Sequence, residues 1–135
     1  MDNKIFITEK DYMRLNNLLN SDYEDENNCL ENLENEIERA NIISDSEVPP
    51  DLVTMNSKIE YLDLTTKRSS TITISYPDNA NYLEKNISIL APLGCALIGL
   101  REGQEILWDF PSGATKKLKI IKVIYQPEAS GDVHL

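Results

Sequence analysis

The sequence has little of what most catalytic sites are built from. It holds one histidine and two cysteines among 135 residues, and the histidine, His134, is the penultimate residue. No pairing of a nucleophile with a base can be recognised. Gly94, Gly99 and Gly103 fit neither a P-loop nor a dinucleotide-binding fingerprint. We therefore expect no enzyme and no bound cofactor, and we interpret Trp108 as a core or half-buried strand residue rather than a ligand-stacking one.

Long apolar runs are also missing. No run approaches the roughly 20 residues that span a bilayer. Residues 1–12 lack the basic and apolar regions of a secretory signal. Cys29 and Cys95 have no metal-type spacing, which favours reduced thiols over a disulfide. The sequence thus predicts a cytoplasmic protein with no membrane partner.

Basic clusters are scarce in a chain of net charge −10. A surface that binds nucleic acid needs grouped Lys and Arg to displace counterions. The one such run is interpreted as the solvated face of a strand; it holds Lys116, Lys117, Lys119 and Lys122. Residues 1–50 carry 13 acids and 4 bases, whereas residues 51–135 carry 10 acids and 9 bases. The net charge argues against nucleic acid as a direct partner, and the imbalance indicates two units with different roles.

The first unit has the pattern of two short helices. Thr8 and Asp11 form an approximate capping box at the start of the first. Apolar residues then recur at helical spacing around a polar stretch at 20–28; they are Tyr12, Leu15, Leu18, Leu19, Leu30, Leu33, Ile37 and Ala40. The narrow stripe predicts an antiparallel helical hairpin that projects as an arm. Pro49 and Pro50 mark the boundary within 44–54, so we divide the chain into 1–47 and 48–135.

The second unit has the pattern of strands. Segments 58–64, 71–76, 87–90, 104–110 and 116–125 alternate or run apolar between turn residues. Leu118, Ile120 and Ile124 are expected to point one way. Pro92 suits the first turn of one short helix, which Gly99 can close in a left-handed conformation. The fold class predicted is α+β: an N-terminal helical hairpin followed by a mainly antiparallel sheet with one short helix.

Four acids at 22–26 are the only candidate for metal chemistry: Asp22, Glu24, Asp25 and Glu26. Carboxylates on one loop can bind Mg²⁺ or Ca²⁺ weakly. The spacing is not that of an EF-hand, and a solvated loop tip is the commoner outcome. No metal site is predicted.

Residues 87–125, ISILAPLGCALIGLREGQEILWDFPSGATKKLKIIKVIY, resemble the C-terminal domain of the bacterial Gre transcript-cleavage factors. The resemblance is carried by Ala91-Pro92, where that family has serine–proline, and by Ala-Leu-Ile-Gly at 96–99. VPPDLVTMNSKI at 48–59 and YQPEASGDVHL at 125–135 are more similar to the Rnk branch, the regulators of nucleoside diphosphate kinase.

The resemblance implies an FKBP-like C-terminal domain and an N-terminal antiparallel coiled coil. It further implies docking on RNA polymerase, at a coiled coil of the β′ subunit on the rim of the secondary channel. Carried over by position, the docking loop is Leu90, Ala91, Pro92 and Leu93, and the acids at 22–26 form a channel-facing hairpin tip. Helices of roughly 12–15 residues would reach about 20 Å at about 1.5 Å per residue, too short to bring a carboxylate to the polymerase active site.

The function expected is therefore a non-catalytic polymerase-binding transcription regulator that competes with Gre-type factors. An active transcript-cleavage factor that uses the acidic tip is the alternative. A peptidyl-prolyl isomerase is a third reading, by fold analogy alone.

Overall fold

The computed structural model describes residues 4–21, 29–110 and 112–132. Its N-terminal part contains helices α1 (Glu9–Leu19) and α2 (Leu30–Arg39). Two strands that the sequence did not predict flank them, β1 (Phe6–Thr8) and β2 (Asn41–Ile43). These strands pair in parallel, so the segments before and after the hairpin are joined at its base.

Helix α1 begins as its sequence predicts. The Thr8 side chain accepts a hydrogen bond from the Asp11 backbone N–H at 3.0 Å, which satisfies one donor of the first turn. Leu15 and Leu18 are buried on one face of α1, as are Leu33 and Ile37 on α2. The two predicted N-terminal helices are confirmed.

The C-terminal part is built on a five-stranded sheet. Its strands are β3 (Lys58–Asp63), β4 (Arg68–Ser75), β5 (Asn86–Ser88), β6 (Glu105–Asp109) and β7 (Thr115–Tyr125). Their spatial order is β5-β4-β3-β7-β6, antiparallel except for the parallel β4–β5 pair. Two short helices complete it, α3 (Pro92–Leu97) and α4 (Pro127–Ser130). The α+β class is confirmed.

Strand β7 departs from simple alternation. Its register with β3 shifts twice, so that Ile121 and Ile124 have no partner on β3. Such bulges insert one extra residue and reverse which later side chains face inward. Leu118 and Ile120 are buried as predicted, but Ile124 is 47% exposed. The prediction that Ile124 points the same way as Leu118 and Ile120 was wrong for this reason.

One hydrophobic core joins the helices to the sheet. It contains Ile5, Leu15 and Leu33 from the N-terminal part together with the inward residues of the sheet. The Phe6 N–H donates to the Gly99 carbonyl at 3.1 Å, and Gly99 has the expected positive φ of 82°. The narrow stripe had predicted an arm that stands clear of the sheet. Instead, the described parts of both helices contact the C-terminal part; the division at 47/48 stays a prediction.

Candidate functional site

The predicted docking loop, residues 90–93, connects β5 to α3. Leu90, Ala91, Pro92 and Leu93 are all half-buried. Ala91 is the extended N-cap residue of α3, and Pro92 occupies its first turn. A proline there loses no helical hydrogen bond and arrives with its φ already helical. The structure therefore brings the four predicted residues together in one short turn.

Ser88 holds the backbone of this loop. Its carbonyl accepts from the Ala91 N–H at 2.9 Å, and its hydroxyl accepts from the Leu90 N–H at 3.0 Å. The Ala91 carbonyl in turn accepts from the Cys95 N–H at 3.1 Å. These bonds fix the backbone of the turn from both sides, while Leu90 and Leu93 pack partly against the core.

Gly94 allows helix α3 to approach the end of β5. A Cβ at this position would lie 2.5 Å from the Ser88 carbonyl oxygen, closer than real Cβ atoms come. Behind it, Cys95, Ala96 and Leu97 are buried, and α3 packs on β5 and β6. Ser88 and Gly94 were missed by sequence reasoning, because a close approach between two backbones leaves no pattern in one sequence.

The other predicted group falls on the hairpin tip. Asp22, Glu24, Asp25 and Glu26 lie outside the described residues. The helices that lead to the tip have 11 and 10 residues. At about 1.5 Å per residue they extend only about 16 Å, less than the roughly 20 Å that the sequence predicted.

Helix α1 is held to the C-terminal part by a buried carboxyl group. Asp11 is 3% exposed, and its Oδ2 accepts from the Met55 N–H at 3.1 Å. Burial raises the pKa of Asp11 to about 7, the Met55 bond lowers it, and the Glu128 carboxylate raises it further. Sequence reasoning assigned Asp11 only to a cap. Its spacing from Leu15 and Leu18 was a signal that it shares their buried face.

The C-terminal segment braces the same region. The Thr54 hydroxyl donates to Glu128 at 2.8 Å and lies 2.8 Å from the Ser57 hydroxyl. The Gln126 side chain donates to the carbonyl oxygens of Pro49 and Leu52, both at 2.8 Å. Residues 44–54, which the sequence predicts as a boundary because of Pro49 and Pro50, are thus hydrogen-bonded to Gln126 and Glu128.

The remaining sequence candidates have structural roles where they are described. Trp108 is half-buried against the core, as its strand spacing predicts. Lys116 lies 3.8 Å from Asp63, and Lys117 lies 3.2 Å from Glu105. Cys29 and Cys95 are both buried, and neither is in a disulfide. His134 lies outside the described residues.

Neither a metal site nor a membrane-spanning helix occurs within residues 4–21, 29–110 and 112–132. These ranges hold no group of three or more His, Cys, Asp or Glu side chains placed to bind a metal ion. Across the same part of the chain, no helix is long and apolar enough to cross a membrane.

Comparison with known proteins matches both parts of the chain. Residues 48–125 match the family described as transcription elongation factor, GreA/GreB, C-terminal, and residues 3–43 match the Rnk N-terminus. The regulator of nucleoside diphosphate kinase of Escherichia coli K12 is 39% identical over 72% of this chain and 71% of its own length. GreA of Nitratidesulfovibrio vulgaris is 32% identical over 70% of this chain and 58% of its own.

A solved structure agrees with these matches. The GreA/GreB elongation factor of Nitrosomonas europaea superposes with a TM-score of 0.72 at 35% identity, over 92% of this chain and 100% of that one. These matches, with two short helices packed on a mainly antiparallel sheet, identify a Gre-related transcription factor. The chain belongs to the GreA/GreB family.

Proposed function

We propose that this protein is a non-catalytic transcription regulator that binds RNA polymerase. It docks at the rim of the secondary channel, on the coiled coil of the β′ subunit, through residues 90–93. From there it excludes Gre-type factors that have longer arms. Any effect on nucleoside diphosphate kinase then acts indirectly, through transcription.

The braced loop supports the docking part of the proposal. Leu90, Pro92 and Leu93 offer apolar surface on a backbone that Ser88 already fixes. Binding through a preorganised segment loses little conformational entropy. Ala91 stands where the family has serine, so a hydroxyl contact is absent while the apolar part of the surface is retained.

The observation that carries the non-catalytic part is the length of the helices. With 11 and 10 residues, α1 and α2 give a short hairpin whose base is seated on the sheet. Positioning a catalytic metal ligand tolerates errors of only about 0.5 Å. A carboxylate carried on so short a hairpin falls well outside that tolerance at a distant active site.

A matched pair of substitutions tests the docking surface. Ala91→Asp places a charge on the loop, yet aspartate is a favoured N-cap residue, so α3 should still fold. Ala114→Asp puts the same change on the exposed turn between β6 and β7. We expect Ala91→Asp to weaken binding to core polymerase by about tenfold or more and Ala114→Asp to have little effect.

Two results would count against the proposal. If the parent protein does not bind core polymerase, the function is wrong. If the two variants weaken binding equally, the polymerase contact lies elsewhere on the surface.

A further inference from the structure

Side chains of the two helices line a groove that includes none of the docking-loop residues 90–93. It has a volume of about 230 Å³ and is lined by side chains of both α1 and α2. Pockets for drug-sized ligands usually have about 300–1,000 Å³. The groove is therefore sized for a single long side chain rather than for a metabolite.

Part of the floor of the groove is apolar. Ile37 is buried, Leu19 is half-buried, and Tyr12 is 37% exposed beside them. Such a floor suits the methylene stem of a long side chain, which gains from contact with apolar surface while its polar end remains solvated.

The rim of the groove is acidic and amide-bearing. Glu34 and Glu38 line it from successive turns of α2, and both are exposed. Among the described residues, neither carboxylate is in an ion pair. Asn16 and Asn20 line it from α1, with the Asn20 amide donating to the Asn16 carbonyl at 3.0 Å. Carboxylates and amide oxygens around an apolar slot are acceptors for a cationic head group.

We infer that this groove receives an arginine side chain from the surface of RNA polymerase, a second contact beside the docking loop. Arginine fits better than lysine because its planar head donates to two carboxylates at once and stacks on aromatic rings. The 13 acids among residues 1–50 would draw a basic partner to this side of the protein. The inference rests on the proposed function, since the polymerase supplies the arginine.

The first test does not need the polymerase. Nα-acetylarginine amide is titrated into the full-length protein, with the uncharged Nα-acetylcitrulline amide as its matched control, and the side-chain amide resonances of Asn16 and Asn20 are followed by NMR. We expect shifts with the arginine probe alone and their loss in Glu34→Gln/Glu38→Gln. Absence of shifts, or equal shifts with citrulline, would overturn the groove as an arginine site.

The second test measures affinity for core polymerase. Glu34→Gln/Glu38→Gln should weaken binding by about tenfold, because both acceptors for the charged group are lost. Glu31→Gln/Glu47→Gln removes the same charge from exposed positions outside the groove and should change affinity by no more than about twofold. Equal losses in the two double variants, or no loss in either, would overturn the second contact and leave the docking loop intact.

A parent protein without affinity for polymerase would overturn the proposed function and the source of the arginine together, while the titration still decides what the groove binds.

Discussion

Asp11 is a carboxyl group held inside the protein at the junction of α1 and the C-terminal part. Burial raises its pKa from 3.8 to about 7, and the Glu128 carboxylate adds to the rise. The Met55 N–H and the charges of Arg14 and Lys10 oppose it. The carboxyl group therefore stays protonated in the folded protein over a pH range where the unfolded chain has already released the proton.

This difference predicts a pH-dependent stability. The contribution of Asp11 is fully present below about pH 4, falls as the pH rises toward 7, and is lost above it. The loss is on the order of 4 kcal/mol, from about 1.4 kcal/mol per pKa unit. Urea denaturation between pH 5 and 8 measures it.

Asp11→Asn isolates the effect. The amide can still accept from the Met55 N–H but does not ionise, so we expect this variant to gain stability over the parent as the pH rises from 5 to 8. Glu31→Gln, at an exposed position, should follow the parent curve. If the difference in unfolding free energy between the parent and Asp11→Asn does not change with pH, the raised pKa of Asp11 is refuted.

At the scale of elements, strand β7 shows how a bulge redistributes side chains. Ile120 is fully buried, whereas Ile124 is 47% exposed although it stands four residues further along the same strand. The two register shifts against β3 separate their environments. Identical substitutions at the two sites should therefore have very different effects.

We expect Ile120→Thr to lower the free energy of unfolding by about 2–4 kcal/mol, because it removes a buried methyl group and buries a hydroxyl. Ile124→Thr should change it by no more than about 0.5 kcal/mol. Chemical denaturation of the two variants gives both values. Similar losses at both positions would mean that β7 alternates without bulges.

The elements that the sequence predicted well are those with local signals. Thr8 and the apolar spacing define α1, Pro92 defines the start of α3, and alternation defines β4. Strands β1 and β2 have three residues each and depend on a partner far along the chain, as in the 2.9 Å bond from the Asn41 N–H to the Ile5 carbonyl. No local pattern encodes such a pairing.

The candidate site divides in the same way. The position of residues 90–93 follows from the proline and from family resemblance. The bracing by Ser88 and the requirement for Gly94 arise from two backbones in contact, and the burial of Asp11 depends on where Met55 comes to lie. These features need the assembled fold, since each depends on residues from separate elements.

At the scale of the whole molecule, the hairpin and the sheet share one core. Ile5 and Leu15 pack in the same cluster as Ile59 and Leu118. Parts with a common core unfold together when neither can bury its apolar surface alone. The chain should therefore show one cooperative transition.

Two probes can establish this. Trp108 fluorescence reports on the sheet, because Trp108 is the single tryptophan and lies on β6, while far-UV ellipticity near 222 nm, roughly the helical minimum, reports mainly on α1 and α2. We expect the two urea transitions to coincide. Loss of ellipticity at lower urea than the fluorescence change would show that the hairpin unfolds separately.

The proposed function combines the predicted docking loop with a short hairpin. Each alone is compatible with several roles, but together they support the proposal of a protein that occupies the entrance of the polymerase channel without reaching its active site. The proposal thus predicts that the protein binds RNA polymerase but does not cleave the transcript. One experiment can measure both.

That experiment adds the protein to stalled elongation complexes that are undergoing cleavage by a Gre factor in the presence of Mg²⁺. The account predicts that rising concentrations suppress Gre-dependent cleavage and displace the factor, while the protein alone leaves transcript length unchanged. Shortened transcripts with the protein alone, or Gre-dependent cleavage that persists at saturating protein, would contradict it.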